Sequence, residues 1–371
     1  MKPMKKFLKS MEMTVLTSTF LLAAVTSLAG CSKKAKSNAP SLRLANDITS
    51  NYTPIINTAV LEGLAEKNGV CPIIDYNDGI EPLITGKIDG RLTDLVASLI
   101  TGGNGEDLAI FAGTMGGGHI VYANKNVAGQ VRDLKNWKGR TIGARVKITP
   151  QLVLAHALKE KYGYSDEDVT FKFFDNDQAI MAACAKGEID IGTTYYAYKD
   201  TAEAQGLVII AELVDLAPDY ACCRQTANGK KVKSDRNLFV AWTKGLIEAW
   251  KVYNTDEKTA INAVKKITKQ DDTWVRQNIY DPERTAHITF NPDPFYNGCL
   301  AQYQICVDKG YINKENPRPL PEYFDISIYA DALKEVIAEN ADDKFYKDMW
   351  TYFVSHNNEY PDFEKKYPAT L

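Results

Sequence analysis

Histidine is scarce in this chain. His119, His156, His287 and His356 are the only four in 371 residues, and none stands at a metal-ligand spacing such as H-E-x-x-H. A Ser nucleophile elbow is missing, and the one Gly-rich stretch lacks the Lys-Ser/Thr ending of a nucleotide P-loop. Zinc proteases, serine hydrolases of that type and P-loop enzymes are therefore disfavoured. No repeat or low-complexity tract interrupts the chain, and no apolar run beyond residue 31 is long enough to span a bilayer. Basic residues are not in excess either: 44 Lys and Arg face 47 Asp and Glu. Nucleic acid is not an expected partner, because displacing counterions from phosphate needs a basic face.

What is present begins with a processing signal. Lys2, Lys5, Lys6 and Lys9 form a basic start, and residues 13–28 are apolar or hydroxyl-bearing without charge. Such a segment stands apart from the fold. It ends in Leu28-Ala29-Gly30-Cys31, similar to the bacterial lipobox, in which the Cys thiol carries a diacylglycerol. Residues 1–30 are thus expected to be a lipoprotein signal peptide, with Cys31 the lipidated N-terminus and residues 31–40 a polar tether. Without residues 1–30 the chain has 40 basic and 46 acidic residues, a net charge of −6. The expected location is the extracytoplasmic face of the cell membrane. The remaining length, 45% hydrophobic, suffices for two cores.

Six cysteines follow Cys31: Cys71, Cys184, Cys222, Cys223, Cys299 and Cys306. Six allow roughly 15 pairings, and spacing does not choose among them. Cys299 and Cys306 lie two turns apart on an expected helix, roughly 10 Å along its axis, too far to bridge.

Short β-like runs alternate with amphipathic stretches, which implies an α/β fold. Residues 42–45 form a strand, the loop 46–53 follows, and Pro54 opens a helix carrying Ile56, Ala59, Val60 and Leu64. Further strands are expected at 108–112, 119–123, 141–146, 170–174, 189–193 and 207–213. Thr149 is expected to cap a helix starting at Pro150 and stopping at Gly163, and Asp177 to start one that Gly187 ends. From Asp235 onward the periodicity is helical: Leu238, Phe239, Trp242, Leu246, Ala249, Trp250 and Tyr253 recur three or four apart.

Residues 133–143, Asp-Leu-Lys-Asn-Trp-Lys-Gly-Arg-Thr-Ile-Gly, resemble the D-L-K-G-K-x-I-G opening of the second lobe in importer solute-binding proteins, with Asn136 and Trp137 inserted. Asp168-Val169 and residues 179–190 resemble the family's D-V and A-x-x-A-L-x-x-G-x-I-D-A elements. An earlier copy of that grammar lies at residues 83–90. Together they are similar to the nitrate, sulfonate, taurine and thiamine-precursor-pyrimidine branch of ABC importer substrate-binding proteins, over residues 42 to about 246. The resemblance implies two α/β lobes of the type II periplasmic-binding-protein topology, joined at a hinge, with C-terminal helices. Lobe 1 would comprise 41–124 and 224–371, and lobe 2 would comprise 125–223. It also implies a monomer that captures a small organic ligand, anionic or heteroaromatic, and hands it to an ABC permease, with no cofactor and no metal. Fungal pyrimidine-forming enzymes resemble the same branch, so an enzyme is the alternative, though a membrane anchor favours transport.

In α/β sheets ligands bind beyond the carboxyl ends of strands. The candidate contacts are therefore Asn46, Asp47 and Tyr52 after the first strand, and Arg91 and Thr93 after the Gly86–Gly90 turn. Thr114, Met115 and His119 flank a Gly-rich loop that lets backbone approach a ligand. The helix end at Thr149 offers free N–H groups to an anion. Tyr195, Tyr196 and Tyr220 offer aromatic faces, with Tyr195 preferred. Core packing, helix capping and surface ion pairing are the bland alternatives. Cys222-Cys223-Arg224 is similar to a Cys-Cys-Arg segment in some relatives of the pyrimidine-binding branch, with packing, disulfides and ligand contact all open.

Overall fold

A computed structural model describes residues 28–29, 39–46, 53–76, 79–165, 167–218, 220–285 and 287–371. Its strands are β1 (Leu28–Ala29), β2 (Ser41–Asn46), β3 (Cys71–Tyr76), β4 (Gly90–Asp94), β5 (Leu108–Gly116), β6 (His119–Asn124), β7 (Thr141–Ala144), β8 (Thr170–Phe173), β9 (Ile191–Tyr195), β10 (Leu207–Glu212) and β11 (Ala221–Asn228). They form two sheets, in the orders β1-β3-β2-β4-β11-β5 and β10-β6-β9-β7-β8.

Each sheet has three adjacent parallel strands, β3-β2-β4 in one and β9-β7-β8 in the other. Parallel neighbours need crossovers. The helix Pro54–Leu61 lies on the path from β2 to β3, Thr149–Tyr162 joins β7 to β8, and Asp177–Lys186 joins β8 to β9. The last two end in left-handed residues at Gly163 (φ 69°) and Gly187 (φ 76°), the C-terminal glycines the sequence indicates. Antiparallel strands close each sheet: β11 pairs with β4 and β5, and β6 with β9 and β10.

The chain passes between the sheets twice, at Gly117–Gly118 after β5 and again just before β11. β6, expected with the first lobe, hydrogen-bonds instead along β9 and β10, and β11 begins at Ala221 in the first sheet. A strand's hydrophobicity does not say which sheet it joins; the turn preceding it does.

The C-terminal part is helical. The helix Gly229–Thr255 is kinked at Asp235 (φ −137°, ψ 40°), and Glu257–Thr268, Asp272–Ile279, Tyr296–Asp308, Ser327–Glu339 and Lys344–Asn357 follow it. Phe239, Trp242, Leu246 and Ala249 are buried, as their spacing requires. Among the described residues no helix is long and apolar enough to cross a membrane.

Cys184, Cys222, Cys223, Cys299 and Cys306 are buried free thiols. Cys71 is disulfide-bonded.

Candidate functional site

A cavity of 320 Å³ lies between the sheets, lined by Arg91, Thr93, Asp94, His119, Tyr195 and Cys223, with Glu81, Arg145, Ile148, Pro150 and Asp177 around them. It sits where several strands end. β4 terminates at Asp94 and β9 at Tyr195; Arg145 follows β7, and Asp177 opens the helix after β8. Parallel strands present their carboxyl ends on one edge, so short post-strand segments converge there from both sheets.

Asp94 is the centre of the arrangement. It caps the helix Leu95–Gly103, one carboxylate oxygen accepting from the N–H groups of Val96 (2.9 Å) and Ala97 (3.4 Å). The same carboxylate accepts from the Thr149 N–H at 3.2 and 3.1 Å. Two helix N-termini, one from each lobe, therefore meet on a single anion, which their positive ends favour. Enclosure works against the charge: burial raises the Asp94 carboxyl to about 6, and these hydrogen bonds only partly offset it.

The remaining charges balance closely. The Arg91 side chain is 3% exposed, and its Nε donates to the Leu92 carbonyl at 3.2 Å. Asp177 accepts from the Thr194 hydroxyl at 2.8 Å. Two guanidinium groups, Arg91 and Arg145, thus share the cavity with three carboxylates, Glu81, Asp94 and Asp177. His119 Nδ1 meets the Tyr220 hydroxyl at 2.7 Å, and burial drives its imidazole down to about 3, so the ring is neutral. The Tyr195 ring packs against it edge-on, centroids 4.7 Å apart.

Of the expected contacts, Arg91, Thr93, His119 and Tyr195 line the cavity. Arg91 and Thr93 do so from β4 rather than from a loop. Thr149 adjoins it, but as the first helical residue rather than the cap, and the carboxylate of Asp94 already takes its N–H. An anion from outside does not find that helix end vacant.

The other expected residues that the structure describes lie away from the cavity wall. Thr114 and Met115 are buried in β5; Thr114 Oγ1 donates to the Cys223 carbonyl at 3.4 Å, and the Met115 carbonyl accepts from Arg224 at 3.0 Å. The glycines beyond them serve the fold. Gly117 has φ +72°, and a Cβ there would lie 2.0 Å from the His287 carbonyl oxygen, so the backbone approach is to the protein's own chain. Tyr196 is buried with its hydroxyl donating to the Asn278 carbonyl. Tyr220 supports His119 from behind, and Asn46 is buried at the end of β2, outside the cavity wall. Asp47 and Tyr52, like Cys31, lie outside the described residues.

Asp94, Asp177 and Glu81 were not expected, and for Cys223 ligand contact was one of the readings left open. Asp94 carried a signal, an Asp just before an apolar helical run, but a cap is the ordinary meaning of that pattern. Arg224 is a structural pin: its guanidinium donates to the carbonyls of Pro294 (2.9 Å), Met115 (3.0 Å) and Cys223 (2.8 Å), tying β5, β11 and the C-terminal region together.

This architecture is the periplasmic-binding-protein fold, two α/β halves around a cleft with helices appended. The chain is similar in structure to the periplasmic nitrate-binding protein NrtA of Synechocystis PCC 6803 (TM-score 0.66, 12% identity, 80% of this chain and 89% of that one). It is similar also to the periplasmic aliphatic sulphonate binding protein SsuA of Escherichia coli (TM-score 0.60, 16% identity, 78% and 91%). A C27S mutant of DSZB in complex with biphenyl-2-sulfinic acid shares the fold as well (TM-score 0.57, 13% identity, 80% and 99%). No protein-family model and no curated protein sequence matches the chain.

Proposed function

We propose that this chain is an extracytoplasmic solute-binding lipoprotein, monomeric and without a cofactor, that captures a small organic molecule between its lobes and delivers it to an ABC permease. The carrying observation is the 320 Å³ cavity lined from both sheets by groups of both charges and by the Tyr195 ring. A ligand touching both walls gains contacts that an open cleft lacks, so binding shifts the population toward closure. Arg91 and Arg145 suit an acidic group, which guanidinium recognises bidentately. Asp94, Asp177 and Glu81 suit hydrogen-bond donors, and Tyr195 a flat or aliphatic body. The ligand class is therefore an organic acid that also carries donors, heteroaromatic acids being the best fit.

A thermal-shift screen of sulfonates, aromatic acids, pyrimidines and plain inorganic anions tests this, because a ligand held only by the folded state raises the melting point. A hit that also lowers the radius of gyration in solution scattering supports capture by closure. Hits only among plain inorganic anions would overturn the ligand class, and saturation with unchanged dimensions would overturn the closure mechanism.

The anchor has its own test. Membrane fractionation and intact mass of the mature protein are expected to show acylated Cys31; a soluble product whose mass lacks the lipid would refute lipidation.

Cys223 in the cleft wall favours a second reading, an enzyme on this fold. Its thiol, however, has the Tyr195 hydroxyl (3.0 Å) and the Cys222 thiol (3.0 Å) as polar neighbours, and the His119 Nδ1 is taken by Tyr220. Among the described residues no cation or general base is paired with the sulfur, as an enzyme's cysteine nucleophile requires. Recovery of bound ligand chemically unchanged distinguishes transport from turnover.

A further inference from the structure

Consecutive side chains of a strand point to opposite faces. At the start of β11 they do not. The pairing of β11 with β5 slips between Ala221 and Cys223 and again between Cys223 and Arg224. Such irregularities bend a strand and re-aim its side chains. The result is that the Sγ atoms of Cys222 and Cys223 lie 3.0 Å apart, with the Tyr195 hydroxyl 3.4 Å from one and 3.0 Å from the other. Cys223 borders the cavity, and Cys222 lies behind it, fully buried.

We propose that Cys222 and Cys223 are a redox-active vicinal dithiol in the wall of the cleft, converted to a disulfide by exchange with a low-molecular-weight disulfide of the glutathione class. Cys223, as the cavity-facing sulfur, loses its proton to solvent and attacks one sulfur of oxidised glutathione. That S–S bond breaks, one glutathione thiolate leaves and is protonated, and Cys223 carries a mixed disulfide. Cys222 then attacks the Cys223 sulfur, its proton passing to the departing sulfur, and the second glutathione leaves as the thiol. Two protein thiols are oxidised and one glutathione disulfide is reduced to two thiols, so atoms and electrons balance.

The backbone makes this bond reversible. Adjacent Cα atoms are about 3.8 Å apart across a trans peptide, closer than the roughly 4.4 Å lower limit of ordinary disulfides. A bond closed across that gap is strained and therefore easily reduced, the property of labile rather than structural disulfides. Closing it also shortens the 3.0 Å sulfur gap beside the Tyr195 hydroxyl, so the oxidation state alters one wall of the cleft.

The test uses the full mature chain, reduced, freed of reductant, and incubated with oxidised glutathione before alkylation and peptide mass spectrometry. The peptide bearing Cys222 and Cys223 is expected to lose two hydrogens and to escape alkylation, with both effects reversed by dithiothreitol. Phenylarsine oxide, a reagent for paired thiols, is expected to bind the reduced chain one to one at the same peptide. Cys222→Ser should stop the reaction at a glutathione adduct on Cys223; the wild-type readouts stand even if that variant does not fold. Complete alkylation of both thiols after glutathione treatment, or an adduct on Cys223 that the wild-type chain never resolves, would overturn the proposal. None of these readouts needs a transport ligand, so their failure is distinct from failure of the transport function.

Discussion

The carboxylate of Asp94, at the end of a strand in one lobe, receives the backbone N–H of Thr149, at the start of a helix in the other, at 3.1 and 3.2 Å. One side chain thereby ties the two halves across the cleft and fills the helix end where an anionic ligand would otherwise dock.

That contact predicts a pH dependence. The carboxyl is raised from its ordinary 3.8 to about 6, so it favours the folded state when protonated. Its contribution is complete below about pH 4 and lost as pH rises through 6. Asp94→Asn keeps a capping oxygen and removes the titration. The melting point of the variant relative to wild type is expected to rise between pH 4.5 and 7.5 by a few degrees, on the order of 2 kcal/mol for a carboxyl that borders a cavity. A pH-independent difference would remove Asp94 as the titrating group.

Arg91→Ala and Arg145→Ala should each weaken binding of the best acid from the thermal-shift screen by about 10- to 100-fold, the range of one lost charge-assisted hydrogen bond. Isothermal titration at two salt concentrations measures it. Full affinity in both variants would place the acidic group elsewhere.

Tyr195→Ala is expected to lower affinity about tenfold, while Tyr195→Phe, which keeps the ring and loses only the hydroxyl on the thiols, should stay within a few-fold of wild type. Equal losses would mean that the hydroxyl rather than the ring meets the ligand.

Gly117→Ala should cost about 2–4 kcal/mol, because a left-handed backbone and a 2.0 Å collision with the His287 carbonyl oxygen coincide there. Gly163→Ala, also left-handed (φ +69°) but with nothing within 4 Å, should cost only about 1 kcal/mol. Chemical denaturation of both variants separates crowding from backbone strain; similar losses would mean that the His287 segment yields.

Much of the fold was legible because helix and strand periods are local. Gly163 and Gly187 stop their helices where the sequence indicates, and the apolar spacing from Leu238 to Tyr253 gives a helix. The site was only half legible. Arg91, Thr93, His119 and Tyr195 reach the cavity, whereas Thr114, Met115 and Tyr196 are spent on packing and backbone contacts. A post-strand position narrows the choice, but whether its side chain meets a ligand or a neighbour depends on what folds over it.

By itself the sequence determined the alternation of strands and helices, where helices stop, and the apolar faces that become core, since these follow from intervals of two to four residues and from glycine's access to the left-handed region. Tertiary structure alone decided that His119–Asn124 joins the second sheet, that Asp94 occupies the helix end at Thr149, and that two consecutive thiols share one side of a strand. Those outcomes depend on pairing register and on partners 55 or more residues away, and no local interval encodes them.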